Sequence, residues 1–364
     1  MSKLRVPPQP ARTPRPLLAF LGEAPGADEI GRTGNYLTLA QQVWPDAGWT
    51  GTRWRDRALA ERLPRLPLVG SSGSIFNAVL RAADIDRLDC WVGNVFDEKA
   101  PENDVTEWMH DPAIYGAALE RLAEELAEAQ PTVVVAMGGT ALHALTEDNR
   151  IARMRGYPLQ ATRVLPGVKV VPTYHPAYVM RVWESLPFVI GDVTKARREA
   201  EYGPELRVPR KRWLIEPEME DLEAWTEKLL GAEEISIDIE TGWGQITCIA
   251  FAPNIDESIC VPFVDLRRPN RCYWAREAER KAWRWVKMIC ESPGPKKVGQ
   301  FFAGYDAYWL LAVMGIRTMN LTDDPRLMHH ALFPDAPKDL GFLGAAYTNM
   351  PAWKHWNKTD KKDD

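Results

Sequence analysis

The sequence predicts an α/β protein of two domains, and three observations carry that expectation. Short apolar runs alternate with helical stretches over residues 17–198: strands at 17–22, 90–95, 132–136 and 168–172, and helices at 115–129 and from Thr140 onward. Such alternation implies a parallel sheet covered by helices. In a second block, three β-rich stretches at 235–239, 246–252 and 258–264 are separated by short turns, which predicts a meander of neighbouring strands. Between the two lies a charged stretch with two prolines and no apolar period, residues 199–212, and 364 residues exceed what one core usually supports.

Within the first block, Leu119, Leu122 and Leu126 form one helical stripe, and three polar clusters follow strands. Functional loops of open α/β sheets sit at the carboxyl ends of the strands. The segment 44–66, rich in Trp, Arg, Pro and Gly, interrupts the alternation and reads as an insertion or a mobile loop. In the second block a helix near 218–230 carries Met219, Leu222, Trp225 and Leu229 on one face. A helix at 275–290 follows, then 296–299 leading into a helix that starts near Asp306. The expected organisation is a disordered arm at 1–16, a first domain at 17–200, a linker at 201–212, a second domain at 213–356 and a charged tail at 357–364.

Composition narrows the function classes. The net charge of −5 means that any nucleic-acid role rests on local surface. The five cysteines form no C-x-x-C pair, which argues against a disulfide framework and against a dedicated zinc or iron–sulfur site, and fits a reducing cytoplasm. The basic, proline-rich N-terminus lacks the apolar stretch of a signal peptide, and no apolar run reaches membrane-spanning length, so no membrane partner is expected. Fifteen tryptophans are many for this length; core filling is the plain explanation, and some on surfaces the alternative.

Three strand-end residues in the first block suggest one pocket. Glu23 lies in the turn Gly22-Glu23-Ala24-Pro25-Gly26, Asn94 ends a strand, and His175 precedes Pro176. An amide reads a base edge, an imidazole stabilises charge on a departing group, and a carboxylate orients water. Taken singly, each has a plainer role: turn cap for Asn94, packed loop residue for His175, helix N-terminal acid for Glu23. Arg53, Arg55 and Arg57 with Trp54 either contact DNA or form a solvated charged loop.

In the second block, Asp238 and Glu240 lie two apart on a strand and therefore on one face, with Ile235, Ile237 and Ile239 on the other. Asp306 opens the helix after Val298-Gly299-Gln300. Three carboxylates suit Mg²⁺ or Mn²⁺, and two such ions would support phosphodiester hydrolysis.

The order of these motifs carries two resemblances. Gly22–Glu29, Pro67–Gly73, Val92–Val95, Val133–Thr140 and Pro172–Arg181 together resemble the family 4 uracil-DNA glycosylases and their phage relatives over residues 17–198. The resemblance implies base excision at a flipped nucleotide. Glu23 and His175 would be catalytic, and Gly22, Ala24, Pro25, Gly26, Leu68 and Asn94 would line the base site. Ser71, Ser72, Tyr178 and Arg181 would meet DNA. Leu68 stands where the family places a uracil-stacking phenylalanine, and Glu98 where a cluster cysteine would follow the asparagine strand, so a relative without an iron–sulfur cluster is expected.

The second block resembles the DnaQ-like 3′→5′ exonuclease domain of A-family DNA polymerases. Asp238–Thr241 is similar to the first motif and Gly299–Leu310 to the second, with 323–356 similar to the stretch that follows in phage polymerases. The resemblance implies Asp238, Glu240 and Asp306 as metal-binding catalytic acids. The third motif, with its tyrosine and final aspartate, has no counterpart unless Asp360, Asp363 or Asp364 serves, so an incomplete ribonuclease-H-like domain is expected. The arrangement resembles the front of certain phage polymerases, and implies DNA and a separately encoded polymerase chain as partners, in a bacterial or phage-infected cytoplasm. The alternative is a catalytically impaired accessory module.

Overall fold

The computed structural model describes residues 4–207 and 210–350. The chain divides into two units, Met1–Val208 with Gly344–Asp364, and Pro209–Leu343.

In the first unit, strands β1 (Leu18–Gly22), β2 (Trp91–Asn94), β3 (Val133–Met137) and β5 (Lys169–Thr173) run parallel. The short β4 (Leu159–Gln160) adds antiparallel at one edge, in the order β2-β1-β3-β5-β4. The four parallel strands are buried along their whole length, as expected of continuous apolar runs covered on both faces. Register fixes which strand ends meet: Gly22 pairs with Asn94, and Met137 with Thr173. One face packs against the helix Pro112–Ala129 through Leu122 and Leu126; the other packs against Phe76, Val79 and Leu80 of Ser71–Ala82 and Val189 and Val193 of Leu186–Glu201.

Two expectations need correction here. Residues 4–16 of the arm are laid along the sheet edge. Gln9 exchanges backbone hydrogen bonds with Val92 (2.7 and 3.0 Å), Val6 is buried, and Arg12 reaches Asp86 and Asp89. The free edge of β2 supplies the unpaired backbone groups that the arm satisfies. The segment 44–66 is likewise structured. The helix Arg53–Ala60 closes a satellite core of Tyr36, Leu39, Ala40, Ala60, Leu66 and Val69, against which Trp44 and Trp49 pack.

The division at 208/209 falls inside the stretch expected as a linker. Gly344–Met350 group with the first unit, short of the expected limit at 356. Ala345 joins the first unit's core, and Lys195 Nζ donates to the carbonyls of Gly156 (2.9 Å) and Thr348 (2.8 Å). The rest of the expected second domain, 351–356, and the tail at 357–364 lie outside the described residues.

The second unit is a six-stranded mixed sheet in the order β11-β10-β7-β8-β9-β6. Its middle is the antiparallel meander β7 (Glu234–Gly242), β8 (Gln245–Ala252) and β9 (Glu257–Pro262). The flanking strands β6 (Arg212–Leu214), β10 (Lys296–Val298) and β11 (Leu321–Asp323) pair in parallel. Along β7 the isoleucines are buried and Glu234, Ser236, Asp238 and Glu240 exposed, the period-two alternation that the sequence predicts. Leu222, Trp225 and Leu229 of Met219–Leu230 and Trp285, Val286 and Ile289 of Arg276–Glu291 fill the covered face. The tryptophans divide between the two roles: Trp91, Trp225, Trp274 and Trp285 are buried, whereas Trp54, Trp183, Trp213 and Trp243 are exposed. Among the described residues no helix is long and apolar enough to cross a membrane.

Candidate active site

The parallel sheet of the first unit delivers its polar residues to one end. Because Gly22 and Asn94 are paired neighbours, the chain that leaves β1 turns directly beside the Asn94 amide. A β-carbon on Gly22 would collide with Asn94 Oδ1 and would lie 3.5 Å from His175 Nε2. That single atom position brings the asparagine and the histidine together, and it explains why glycine stands there. Gly138 performs a similar service from β3: it adopts φ +97°, and a β-carbon on it would sit 3.4 Å from the Cβ of His175.

Each side chain is held from behind. Asn94 is buried, and Arg121 donates to the carbonyls of Asn94 (3.0 Å) and Val95 (2.6 Å). Glu23, half-buried, accepts from Thr140 Oγ1 at 2.5 Å, while its carbonyl accepts from Phe96 N at 2.9 Å. Gly26 N donates to Glu29 Oε2 (2.9 Å), closing the turn that carries Glu23, Ala24 and Pro25. Thr140 and Arg121 escape detection in the sequence because their parts depend on which strand ends meet.

His175 caps the short helix Pro176–Val179, its Nδ1 accepting from Ala177 N at 3.2 Å. Accepting at Nδ1 requires the neutral ring to carry its proton on Nε2, the nitrogen that faces Gly22 and Asn94. Burial, helped by the charge of Arg181, pushes the imidazole down to about 4, so it is neutral at ordinary pH. The site therefore presents a neutral N–H donor beside an amide.

Leu68 belongs to the loop at this end of the unit, with φ +51°. Its side chain is 4% exposed and belongs to the cluster of Phe20, Phe76 and Val79, so it offers a base little free surface. The expected DNA-facing residues are accessible to different degrees. Arg53, Arg55, Arg57, Ser71 and Arg181 are exposed; Ser72 and Tyr178 are half-buried, Tyr178 stacking on Tyr174 at 4.6 Å. Trp54 is 68% exposed with the Arg55 guanidinium 5.0 Å from its ring centre.

In the second unit the three expected acids do not form a ready-made ion site. Asp238 and Glu240 are exposed on β7, but Asp306 is buried and its Oδ1 accepts from Ile239 N at 2.9 Å. Burial, reinforced by the charges of Asp238 and Glu240, pushes the Asp306 carboxyl up to about 6. Among the described residues no group of three or more His, Cys, Asp or Glu side chains is placed to hold a metal ion. Tyr305 and Thr241 share a hydrogen bond of 2.6 Å beside these acids.

Residues 10–197, just over half of the chain, match the uracil DNA glycosylase superfamily. The chain belongs to that superfamily. Within it, a type-4 uracil-DNA glycosylase of Thermotoga maritima is 33% identical over 135 residues, 36% of this chain and 67% of that protein. Similarity to solved structures is fainter. The EXO domain of Aedes aegypti Nibbler gives a TM-score of 0.26 at 13% identity, covering 36% of this chain and 61% of that one. Escherichia coli RNase D, an exoribonuclease, gives 0.25 at 18%, covering 36% of this chain and 31% of its own. Scores this low carry no argument about the second unit, whose reading rests on its own residues. The superfamily assignment concerns the unit that holds Glu23, Asn94 and His175.

Proposed function

We propose that the first unit hydrolyses the N-glycosidic bond of a uracil-like base flipped out of DNA. The observation that carries this reading is the meeting of the Asn94 amide and the protonated Nε2 of His175 at Gly22. The amide pairs a donor and an acceptor with the edge of a pyrimidine. The His175 N–H donates to a base carbonyl oxygen. As the bond from C1′ to the base breaks, its electron pair moves onto the base, and the negative charge that reaches that oxygen is met by a donor already in place. Water adds its oxygen to C1′, with the Glu23 carboxylate, steadied by Thr140, orienting it and receiving its proton. A neutral imidazole serves this step because it needs no proton from solvent and costs little to bury. The base has to leave the duplex stack to reach the pocket. The test is release of free base from uracil-containing single- and double-stranded oligonucleotides by the full chain, with Asn94→Ala and His175→Ala as controls; undamaged release by both variants would remove the reading.

For the second unit, the acids support an accessory role in preference to nuclease action by this chain alone. A 3′→5′ exonuclease of the DnaQ kind would hold Mg²⁺ or Mn²⁺ on Asp238, Glu240 and Asp306. The donor set does not fit, because Asp306 Oδ1 accepts from Ile239 N and, among the described residues, no trio of His, Cys, Asp or Glu side chains is placed to hold an ion. No hydrolytic step is assigned to it. The reading that remains is an accessory module of a split, phage-type polymerase that does not cut DNA by itself. Its test is 3′-end shortening of labelled single-stranded DNA with Mn²⁺, alone and with a polymerase chain added; rapid shortening by the chain alone, lost in Asp238→Ala, would overturn the accessory reading.

A further inference from the structure

Arg87 takes no part in the steps above, yet its guanidinium is buried and donates four hydrogen bonds. It lies in the turn before β2, is 8% exposed, and spends its guanidinium on two carbonyls of one loop. Nη2 donates to Pro67 O at 2.6 Å and Nη1 to Leu68 O at 2.9 Å. Nη1 also donates to Asn77 Oδ1 (2.9 Å) and Nε to Gln9 Oε1 (3.0 Å), while the group lies 5.3 Å from the Phe76 ring centre. All four of these acceptors are neutral. Burying a guanidinium against neutral acceptors is costly, and the burial pulls its pKa down to about 10, still charged at neutral pH. A charge kept under those conditions needs a structural return.

The loop shows what that return is. Leu68, which carries a β-carbon, is held at φ +51°, a conformation that favours glycine. The turn is tight on every side. A β-carbon on Gly73 would strike the Leu68 carbonyl, one on Gly70 would strike the Asp28 carboxylate, and one on Gly34 would strike the Val69 carbonyl. The loop is thus wedged against the segment that follows the Glu23 turn. We infer that Arg87 is a positioning residue: by clamping the Pro67 and Leu68 carbonyls it holds the strained loop in the shape the base pocket requires. Gln9 of the N-terminal arm in turn fixes Arg87. Gln9 has no exposed surface, receives Arg87 Nε on its Oε1, and returns a hydrogen bond from Nε2 to Arg87 O at 3.2 Å. The arm is therefore part of the pocket's support. The planar fork of arginine reaches these acceptors together; a lysine ammonium is a point donor and cannot span them.

This inference rests on the base-excision reading for its kinetic consequence but not for its structural one, and the test separates the two. Amide exchange and single-turnover base release are measured on the full chain for wild type, Arg87→Lys and Gln9→Ala. In Arg87→Lys, amides of residues 68–72 are expected to exchange about tenfold faster while those of β3 are unchanged. The rate of base release should fall about 10²-fold, with little change in KM, because the loop packs against the segment that follows the Glu23 turn and a small misplacement of reacting groups costs rate at the chemical step. Gln9→Ala should move both quantities the same way by less. Wild-type loop exchange in Arg87→Lys overturns the clamp. If Arg87→Lys loosens the whole sheet, Gln9→Ala decides: loop-limited acceleration supports the proposal, and unchanged or sheet-wide exchange overturns it. Absence of base release in wild type would remove the base-excision reading, and the exchange comparison would still decide the clamp.

Discussion

The two units bring polar side chains together in different ways, and the difference decides what each can do. In the first, four parallel strands end together, so residues far apart in sequence meet: Gly22 beside Asn94 by register, His175 beside both through the turn after β5. Nothing in that group repels, since the imidazole is neutral and the amide uncharged. In the second, Asp238 and Glu240 stand on one face of an antiparallel meander, and the third acid is buried, accepts from a backbone N–H, and holds its proton more tightly because of that burial and their charge. Parallel strand ends gather complementary groups; a strand face gathers like charges that need a cation to be useful.

The largest effect expected from breaking this contrast is chemical. His175→Ala should lower the rate of base release by about 10² to 10³-fold, the usual cost of losing one donor aimed at developing charge. Gly22→Ala should be as severe with the fold intact, since its methyl would displace the Asn94 amide. Single-turnover assays with thermal unfolding as the control check both. Full activity in Gly22→Ala would show that the pocket lies elsewhere.

The same histidine sets a pH signature. Its pKa in the folded chain, about 4, lies below the ordinary value near 6.5, so between these pH values the unfolded chain binds more protons. Stability contributed by the neutral ring is complete above about pH 6.5 and is lost as pH falls toward about 4, on the order of 3 kcal/mol. Base release should be level from about pH 6 to 8 and fall with a midpoint near 4. A midpoint near 6.5, absent in His175→Gln, would mean that the ring is solvated and that the donor is not preset.

Much of this contrast is legible in the sequence, for identifiable reasons. Period two on ISIDI places Asp238 and Glu240 together, because alternation needs only the strand itself. Motif order places Glu23, Asn94 and His175 at strand ends. What stays hidden depends on three-dimensional neighbours. Asp306 shares a backbone contact with Ile239 that no spacing reveals. Leu68 reads as a base-facing side chain but is drawn into the core by Phe20 and Phe76. A proline-rich stretch such as residues 4–16 lacks apolar periodicity, and only the open edge of β2 explains why it is ordered.

A smaller effect tests the second unit. The Asp306 carboxyl is raised above the ordinary range near 3.9, so the folded chain holds the extra proton between about pH 4 and 6 and loses stability as pH rises through that window. Asp306→Asn keeps an acceptor for Ile239 N and removes the charge. It should therefore stabilise the unit above about pH 6, on the order of 2 kcal/mol, by thermal unfolding without divalent ions. Asp306→Ala should destabilise it by about 1–3 kcal/mol through the orphaned amide. If Mn²⁺ raises the melting temperature of wild type but not of Asp306→Asn, the three acids do assemble around an ion and the contrast between the units disappears.

The smallest effect falls on the surface, where the first unit would have to grip DNA despite the chain's net charge of −5. The helix Arg53–Ala60 presents Arg53, Trp54, Arg55 and Arg57 to solvent, while Asp56 turns inward to accept from Thr50 N at 2.7 Å and Thr50 Oγ1 at 2.9 Å. The inward acid anchors the helix, so the outward cations and indole are free of structural duty. Trp54→Ala should then change thermal stability by less than about 0.5 kcal/mol. Its effect should appear in DNA affinity, because stacking on an exposed aromatic is worth roughly 1–3 kcal/mol per base. Arg55→Ala should weaken binding by an amount that shrinks as salt rises, the mark of a phosphate contact, whereas the loss in Trp54→Ala should persist at high salt. Fluorescence anisotropy of a labelled single strand across a salt series separates these outcomes. Unchanged affinity in both variants would leave this helix as a solvated face and shift the DNA contact to Ser71 and Arg181, nearer the pocket.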